Sequence, residues 1–261
     1  MLISLNWVLD FVDLPNGLDP LVLAERFTRT TAEVDDVRRI EVRARGLIAA
    51  RVAKIAPGGS APDPRLQRVT LDVGGGKAVE TTSIAPDLRV GRVVVYAPVG
   101  SSVAALGDIV ATTVGGKPST GVILPGEAVG IEKAFQEAIF LSDEFQPGQP
   151  LPAELFDDWV IEVDNKSITN RPDLWGHYGI AREIAAIVRR PLKPYSIVAL
   201  KELTDAKLPE VPIKIADPCA CRRYCGLIVE GVPTQPAPLW MQLRLGHVGQ
   251  RPISGLVDLT N

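Results

Sequence analysis

The sequence predicts an α+β multidomain chain: helix-bearing segments on either side of a small β-barrel, then the start of a further β-rich domain. Three observations predict it. A capped helix signal sits at Asp19–Pro20, and five short apolar runs, often β-branched, fall between Glu41 and Pro125. Residues 174–188 then carry a helical period, and strand-like stretches follow it.

The 261 residues are enough for more than one hydrophobic core. With 46% hydrophobic and 23% charged residues, the composition is that of an ordinary globular chain. A net charge of -3 confines any nucleic-acid contact to a local basic patch. No apolar run approaches the roughly 18 residues of a membrane span. The opening MLISLNWVLDFVDLP lacks a basic leader and carries Asp10 and Asp13, so it does not read as a signal peptide. Cys219, Cys221 and Cys225 form an odd, clustered set, which argues against a secreted disulfide framework and for a cytoplasmic, reducing setting.

Residues 1–40 read as helical, with Asp19 capping, Pro20 at the first helical position and Leu21, Leu23, Ala24 and Phe27 on one face. The runs 47–55, 68–74, 78–84, 92–100 and 108–116, punctuated by Gly and Pro, predict the strands of the barrel. The glycine pieces VGGGK (73–77) and VGGKPS (114–119) lack the G-x-x-x-x-G-K-[ST] pattern and lie between strand-like runs, so they read as hairpin turns. From Gly126 to Glu162 the chain is acidic and loop-rich, with Glu127, Glu132, Glu137, Asp143, Glu144, Asp157 and Asp158 against Lys133.

The stretch DNKSITNRPDLWGHYGIAREIAAIVRR (164–190) holds the densest polar cluster. Lys166, Ser167, Asp173 and His177 invite a catalytic reading, but their spacing supplies no nucleophile–base–orienter geometry. A helix start explains them with fewer assumptions: Asn170 as cap, Pro172 and Asp173 in the first turn, and an apolar stripe through Leu174, Tyr178, Ala181, Ala185 and Val188. Arg189 and Arg190 fall in the last turn before Pro191. Residues 191–210 read as a linker, and VPIKIAD, CGLIVEGV and GLVDLTN as strand-like, the three thiols being buried in a strand. Zinc would need four ligands, and His247 is the one later candidate. GLVDLTN ends without a closing element, the expectation being a piece of a longer chain.

The barrel region is locally basic. Arg45, Arg51, Lys54, Arg65, Arg68, Lys77, Arg89, Arg92 and Lys117 stand against five acids, with Tyr96 available for base stacking. Either an oligonucleotide-binding face or a solvated surface fits these residues.

Read in order, SLNWVLDFV with LAERFTRTTAEVDDV, RVTLDVGG, SIAP with GRVVVYAPVGS, and IEVDNKSITNRPDLWGHYGIAREIAAI resemble the N-terminal part of the β subunit of bacterial phenylalanyl-tRNA synthetase. CRRYCGLIVEGV and PAPLWMQLRLGHVGQRPISGLVDLTN continue the resemblance. It implies a split α/β module (1–40 plus 155–195), an OB-fold insertion of the tRNA-binding type with an acidic return segment (41–154), and a linker with the start of an editing-type β-rich domain (196–261). Auxiliary tRNA contact is implied for Arg65 and Arg68 and the neighbouring Arg51, Lys54, Lys77, Arg89, Arg92 and Lys117. The family's Asn-Arg-x-Asp and Gly-x-Ala-Arg-Glu stretches fall on Asn170, Arg171, Asp173, Arg182 and Glu183, with His177 a surface or packing residue. The barrel departs from the family at SAPDPRLQ (60–67), where the usual loop carries a histidine, and at STGVIL (119–124). The resemblance further implies an α2β2 ligase with an α subunit and tRNA as partners. ATP and Mg would serve the whole assembly, with no catalytic, cofactor or metal residue in this chain. The alternative is a purely structural or assembly module.

Overall fold

The computed structural model describes residues 1–58, 63–131, 137–194, 209, 211–232 and 236–261. Most of the linker read over 191–210 lies outside these, as do Glu132 and Lys133. In chain order β1 (Leu2–Ser4), α1 (Leu5–Val8), α2 (Pro20–Thr30) and β2 (Val34–Ile40) open the fold. The next strands are β3 (Ala44–Arg45), β4 (Ile48–Pro57), β5 (Gln67–Asp72), β6 (Ala78–Ser83) and β7 (Val93–Pro98). Then come β8 (Ser102–Val103), β9 (Gly107–Asp108), β10 (Thr112–Val114), β11 (Lys117–Ser119), β12 (Gly121–Ile123) and β13 (Phe140–Leu141). Strand β14 (Asp158–Val163) and helices α3 (His177–Val188), α4 (Leu239–His247) and α5 (Gly255–Asp258) complete it.

The helix reading of residues 1–40 holds for α2, where the Asp19 carboxylate accepts from Leu21 N at 2.9 Å and Pro20 begins the helix. It fails at both ends. β1 and β2 flank β14 in an antiparallel sheet of order β1-β14-β2, with Ile3 opposite Ile161 and Val160 opposite Arg38. The sequence of β2, VDDVRRI, has no apolar alternation because it is an edge strand held chiefly by its backbone ladder. β14 was equally hidden inside the acidic segment. One face of this sheet, with α2 and α3, encloses a core that includes Ile3, Leu23, Phe27, Ile161, Ile180 and Ile184.

The five expected runs all contain strands. β4, β5, β6, β7 and β12 follow the order β12-β7-β4-β5-β6, with β13 added to β7. Across the last seam Thr120 N donates to Glu80 O at 3.0 Å and Thr81 Oγ1 to Gly121 O at 2.5 Å, nearly closing the sheet. Counted from β4, the path is first-second-third-fifth-fourth, which is an OB-like barrel. Val69, Leu71, Val94 and Tyr96 fill its interior. Val93, Val95 and Ala97 point the other way, into a second core with Phe156, Leu239 and Leu243. β7 is therefore covered on both faces, which is why its sequence is an unbroken apolar run.

Both glycine pieces are turns. Gly74, Gly75 and Gly76 lie at φ +82, +61 and +71° between β5 and β6. Gly115 and Gly116, at +57 and +75°, form the two-residue turn of the β10–β11 hairpin.

The last fifty residues depart most from expectation. GLVDLTN carries α5, with Ser254 Oγ accepting from Val257 N at 3.5 Å, and not a strand. The runs 211–217 and 225–232 form no strand among the described residues. Cys219 and Cys225 are exposed and Cys221 is half-buried, so the buried-thiol reading is corrected as well. A strand needs a ladder partner, and nothing described here pairs with these runs.

α4, unheralded in the sequence reading, wedges between the two cores. Leu239 and Leu243 enter the barrel's outer core, and Gln242 Nε2 donates to Phe140 O at 3.0 Å and Ala237 O at 2.6 Å. On its other side Arg244 makes two bonds to Asp10, at 2.6 and 2.9 Å. Gly246 permits the close approach, since a Cβ there would lie 2.6 Å from Ile131 Cγ1. Gly246→Ala should therefore cost about 1–3 kcal/mol by overpacking. Urea unfolding followed by circular dichroism will measure it, and an unchanged midpoint would remove the wedge from the stability of the fold.

Candidate nucleic-acid interface

Residues paired across an antiparallel ladder share a face. Val69 and Leu71 point into the barrel, so Arg68, Thr70 and Asp72 point out. Their partners on β4, Ala56, Lys54 and Arg51, point out with them. β6 adds Thr82, Glu80 and Ala78 to the same face. Lys54 and Arg68 are diagonal neighbours there; Lys77, in the turn between β5 and β6, and Lys117, at the start of β11, are exposed. Among the described residues none of these four has an ion-pair partner.

The other four expected contacts are differently placed. Arg51 donates to Gly91 O at 2.8 Å and meets Asp143 at 3.3 Å. Arg65 grips Asp63 through Nε at 3.1 Å and Nη2 at 2.8 Å, and that guanidinium holds the Asp63 carboxyl below the usual range. Arg89 and Arg92 line a separate cleft of about 250 Å³ with Asp87 and Glu137. Burial there raises the Asp87 carboxyl, and the nearby Glu137 charge adds to the rise. The barrel's basic excess is thus distributed over several surfaces. Tyr96 offers no stacking platform, being fully buried with its hydroxyl donating to Thr120 O at 2.7 Å.

The second cluster lies on the other core. Asp164 caps a 3-10 turn, Asn165–Ile168, accepting from Lys166 N at 3.2 Å and Ser167 N at 3.1 Å. Asn170 is exposed and α3 does not start at it. Pro172–Leu174 is its own 3-10 turn, and α3 begins at His177 after Gly176. The break arises because the turn folds back over the helix start: a Cβ on Gly179 would lie 1.8 Å from Asp173 O. Arg171 spans Asp173 (3.0 and 2.9 Å) and Glu183 (2.8 Å), while Arg182 reaches Asp173 at 2.6 Å. The hydrogen bonds from Arg171, and then its charge, hold the Asp173 carboxyl down to about 2. Thr31 Oγ1 donates to Glu183 at 3.3 Å, tying the network to the end of α2.

A family model described as "B3/4 domain" matches residues 220–261. Over its whole length the chain is 37% identical to a protein of Solibacter usitatus (strain Ellin6076) named phenylalanine–tRNA ligase beta subunit, 31% of which it covers. It is 36% identical to the like-named protein of Anaeromyxobacter dehalogenans (strain 2CP-C), covering all of this chain and 32% of that one. For the like-named protein of Bacillus subtilis (strain 168) the identity is 32%, covering all of this chain and 33% of that protein. Along its whole length the chain is similar to phenylalanine–tRNA ligase β subunits. It spans about a third of the length of these relatives.

In this β-subunit relative His177 is a packing residue. Its ring stacks on Trp7 with centroids 3.9 Å apart, and Nε2 accepts from Ser4 N at 3.1 Å. Asp173, four residues earlier, is engaged with the arginines instead. Sequence reasoning weighed His247 only as a zinc ligand and missed its pairing with Asp158, whose Oδ2 lies 3.1 Å from His247 Nδ1 in the buried seam between the cores. No spacing rule could find that pair across 89 residues.

Burial, with Arg244 adding to it and Asp158 opposing it, lowers the His177 pKa from 6.5 to about 4. Between those values the unfolded chain binds more protons than the native one. Stability from this site should therefore be complete above pH 6.5 and decline as pH falls toward 4. Denaturation midpoints across this window for wild type and His177→Gln will check it: the variant should lose part of the pH dependence. Identical profiles would remove His177 as the cause.

Proposed function

We propose that this chain is a non-catalytic N-terminal region of a phenylalanine–tRNA ligase β subunit. In this reading it contributes auxiliary tRNA contact and subunit architecture to the ATP-dependent attachment of phenylalanine to its tRNA, within a cytoplasmic α2β2 assembly that includes an α subunit. The domain division goes with it: 1–40 plus 155–195 as a split module, 41–154 as the OB-fold insertion, and 196–261 as a linker and the opening part of an editing-type domain.

One observation supports the tRNA part: Lys54 and Arg68 are diagonal neighbours on the outward β4–β5–β6 face, and neither is ion-paired among the described residues, although Asp72 and Glu80 share the face. OB-folds bind oligonucleotides at the face of their second and third strands, here β5 and β6. With Tyr96 buried, the contact would be to phosphates and not to stacked bases. ATP and magnesium would be held elsewhere in the assembly. Among the described residues no group of three or more His, Cys, Asp or Glu side chains could hold a metal ion. No described helix is long and apolar enough to cross a membrane.

A second reading, a purely structural module, draws support from the engagement of Arg51 with Asp143 and Arg65 with Asp63. Titrating the chain with tRNA at several salt concentrations separates the two. Contact at four phosphates predicts a log–log salt slope of about -3, and Lys54→Ala with Arg68→Ala should reduce its magnitude by about half. A folded chain that binds nothing at low salt would leave the structural reading standing.

A further inference from the structure

The barrel, α4 and the turn Ala153–Phe156 enclose a cleft of about 510 Å³, roughly twice the volume of the one beside Arg89 and Arg92. Its size is within the range of ligand-binding clefts. Phe145, Leu155, Leu243 and Trp240 give it an apolar lining, and Glu144 and Asp157 stand among the lining residues. Two of the apolar groups are solvent-facing in the chain as it stands: Trp240 is 51% exposed and Leu155 39%.

The charge of this cleft is uncompensated. Neither Glu144 nor Asp157 has an ion-pair partner among the described residues. Asp157 Oδ1 accepts from Val42 N at 2.8 Å, which leaves its second oxygen for another donor. The one cation on the wall, Arg244, is already consumed: both its terminal nitrogens bond to Asp10, and its guanidinium lies 4.9 Å from the Trp240 ring centroid. That stack fixes one side of the indole. A fixed, half-exposed tryptophan beside partly buried aliphatic side chains has the composition of an interface hot spot. The two carboxylates would repel a phosphate backbone and would attract an arginine or lysine side chain.

We infer that this cleft docks a segment of a partner protein that presents a large apolar side chain next to an arginine or lysine. The apolar side chain lies against Trp240 and Leu155, and the cation meets Glu144 and Asp157. This holds whether or not the barrel face contacts tRNA, because the two surfaces use different residues and opposite charge.

The test titrates the full chain with a capped Ala-Phe-Arg-Ala peptide, its citrulline and Glu counterparts at the arginine, and a uridine oligonucleotide. The readout is the Trp240 indole N–H resonance, assigned with Trp240→Phe. The arginine peptide should shift that resonance saturably, and citrulline at the same position should weaken binding by about tenfold or more. Glu144→Gln, a surface change expected to leave the circular dichroism and thermal midpoint intact, should weaken it similarly. Lys54→Ala with Arg68→Ala should leave it unchanged. Equal binding of the citrulline peptide, unaltered affinity in a folded Glu144→Gln chain, or no saturable shift at millimolar peptide would overturn the proposal. So would a shift produced by the oligonucleotide in preference to the peptide.

Discussion

A single buried carboxylate holds the chain's distant parts in one place. Asp158 opens the central strand of the small sheet and is 4% exposed. It accepts from Ser4 Oγ at 2.5 Å, Asn6 N at 3.0 Å, Trp159 N at 2.7 Å and His247 Nδ1 at 3.1 Å. A carboxyl group withdrawn from water is tolerated only when its oxygens are hydrogen-bonded, and these four donors come from three separate stretches of chain. Ser4 itself caps α1 by accepting from Trp7 N. Trp7 then stacks on His177, and Arg244 lies 5.8 Å from the same indole. The first eight residues, the entrance of α3 and the end of α4 are therefore positioned by one polar knot with an aromatic layer beside it.

That knot explains how a barrel can interrupt the small sheet without loosening it. The chain leaves β2 at Ile40 and returns at Asp158, two residues paired directly across the ladder. Asp157, just before the return, accepts from Val42 N, just after the departure. The two crossings are thereby held together, and the barrel's outer core is sealed by Phe156 from the return segment and by Leu239 and Leu243 from α4. Helix and barrel meet through apolar side chains and a buried glutamine amide, helix and sheet through charges and rings.

The charged surfaces divide by the same geometry. On the outward face of β4 and β5, Lys54 and Arg68 make no ion pair among the described residues, although Asp72 and Glu80 share that face; in the cleft beside α4, Glu144 and Asp157 make none either, Arg244 being bonded to Asp10. Arg171 and Arg182 are spent on Asp173 and Glu183, in exposed pairs whose individual worth is small but whose shared geometry fixes the turn ahead of α3.

Local rules in the sequence determined the parts whose signals are local. The Asp19–Pro20 cap placed α2, β-branched runs bounded by glycine placed the barrel strands, and paired glycines placed the hairpin turns. The order of the motifs along the chain carried the resemblance. Tertiary structure alone decided the rest. β2 lacks apolar alternation because it is an edge strand held chiefly by its ladder, and β14, although Ile161 and Val163 enter the core, opens on a buried Asp158 that breaks the pattern. The runs at 211–217 and 225–232 have strand composition but pair with no strand among the described residues. α3 begins at His177 because Gly179 lets the preceding turn lie across it. The nine basic residues of the barrel region could be counted from composition, but pleat and register were needed to put Arg51, Lys54 and Arg68 on one outward face. The burial of Tyr96 and the meeting of Asp158 with His247 depend on groups far apart in the chain, and only packing brings such groups together.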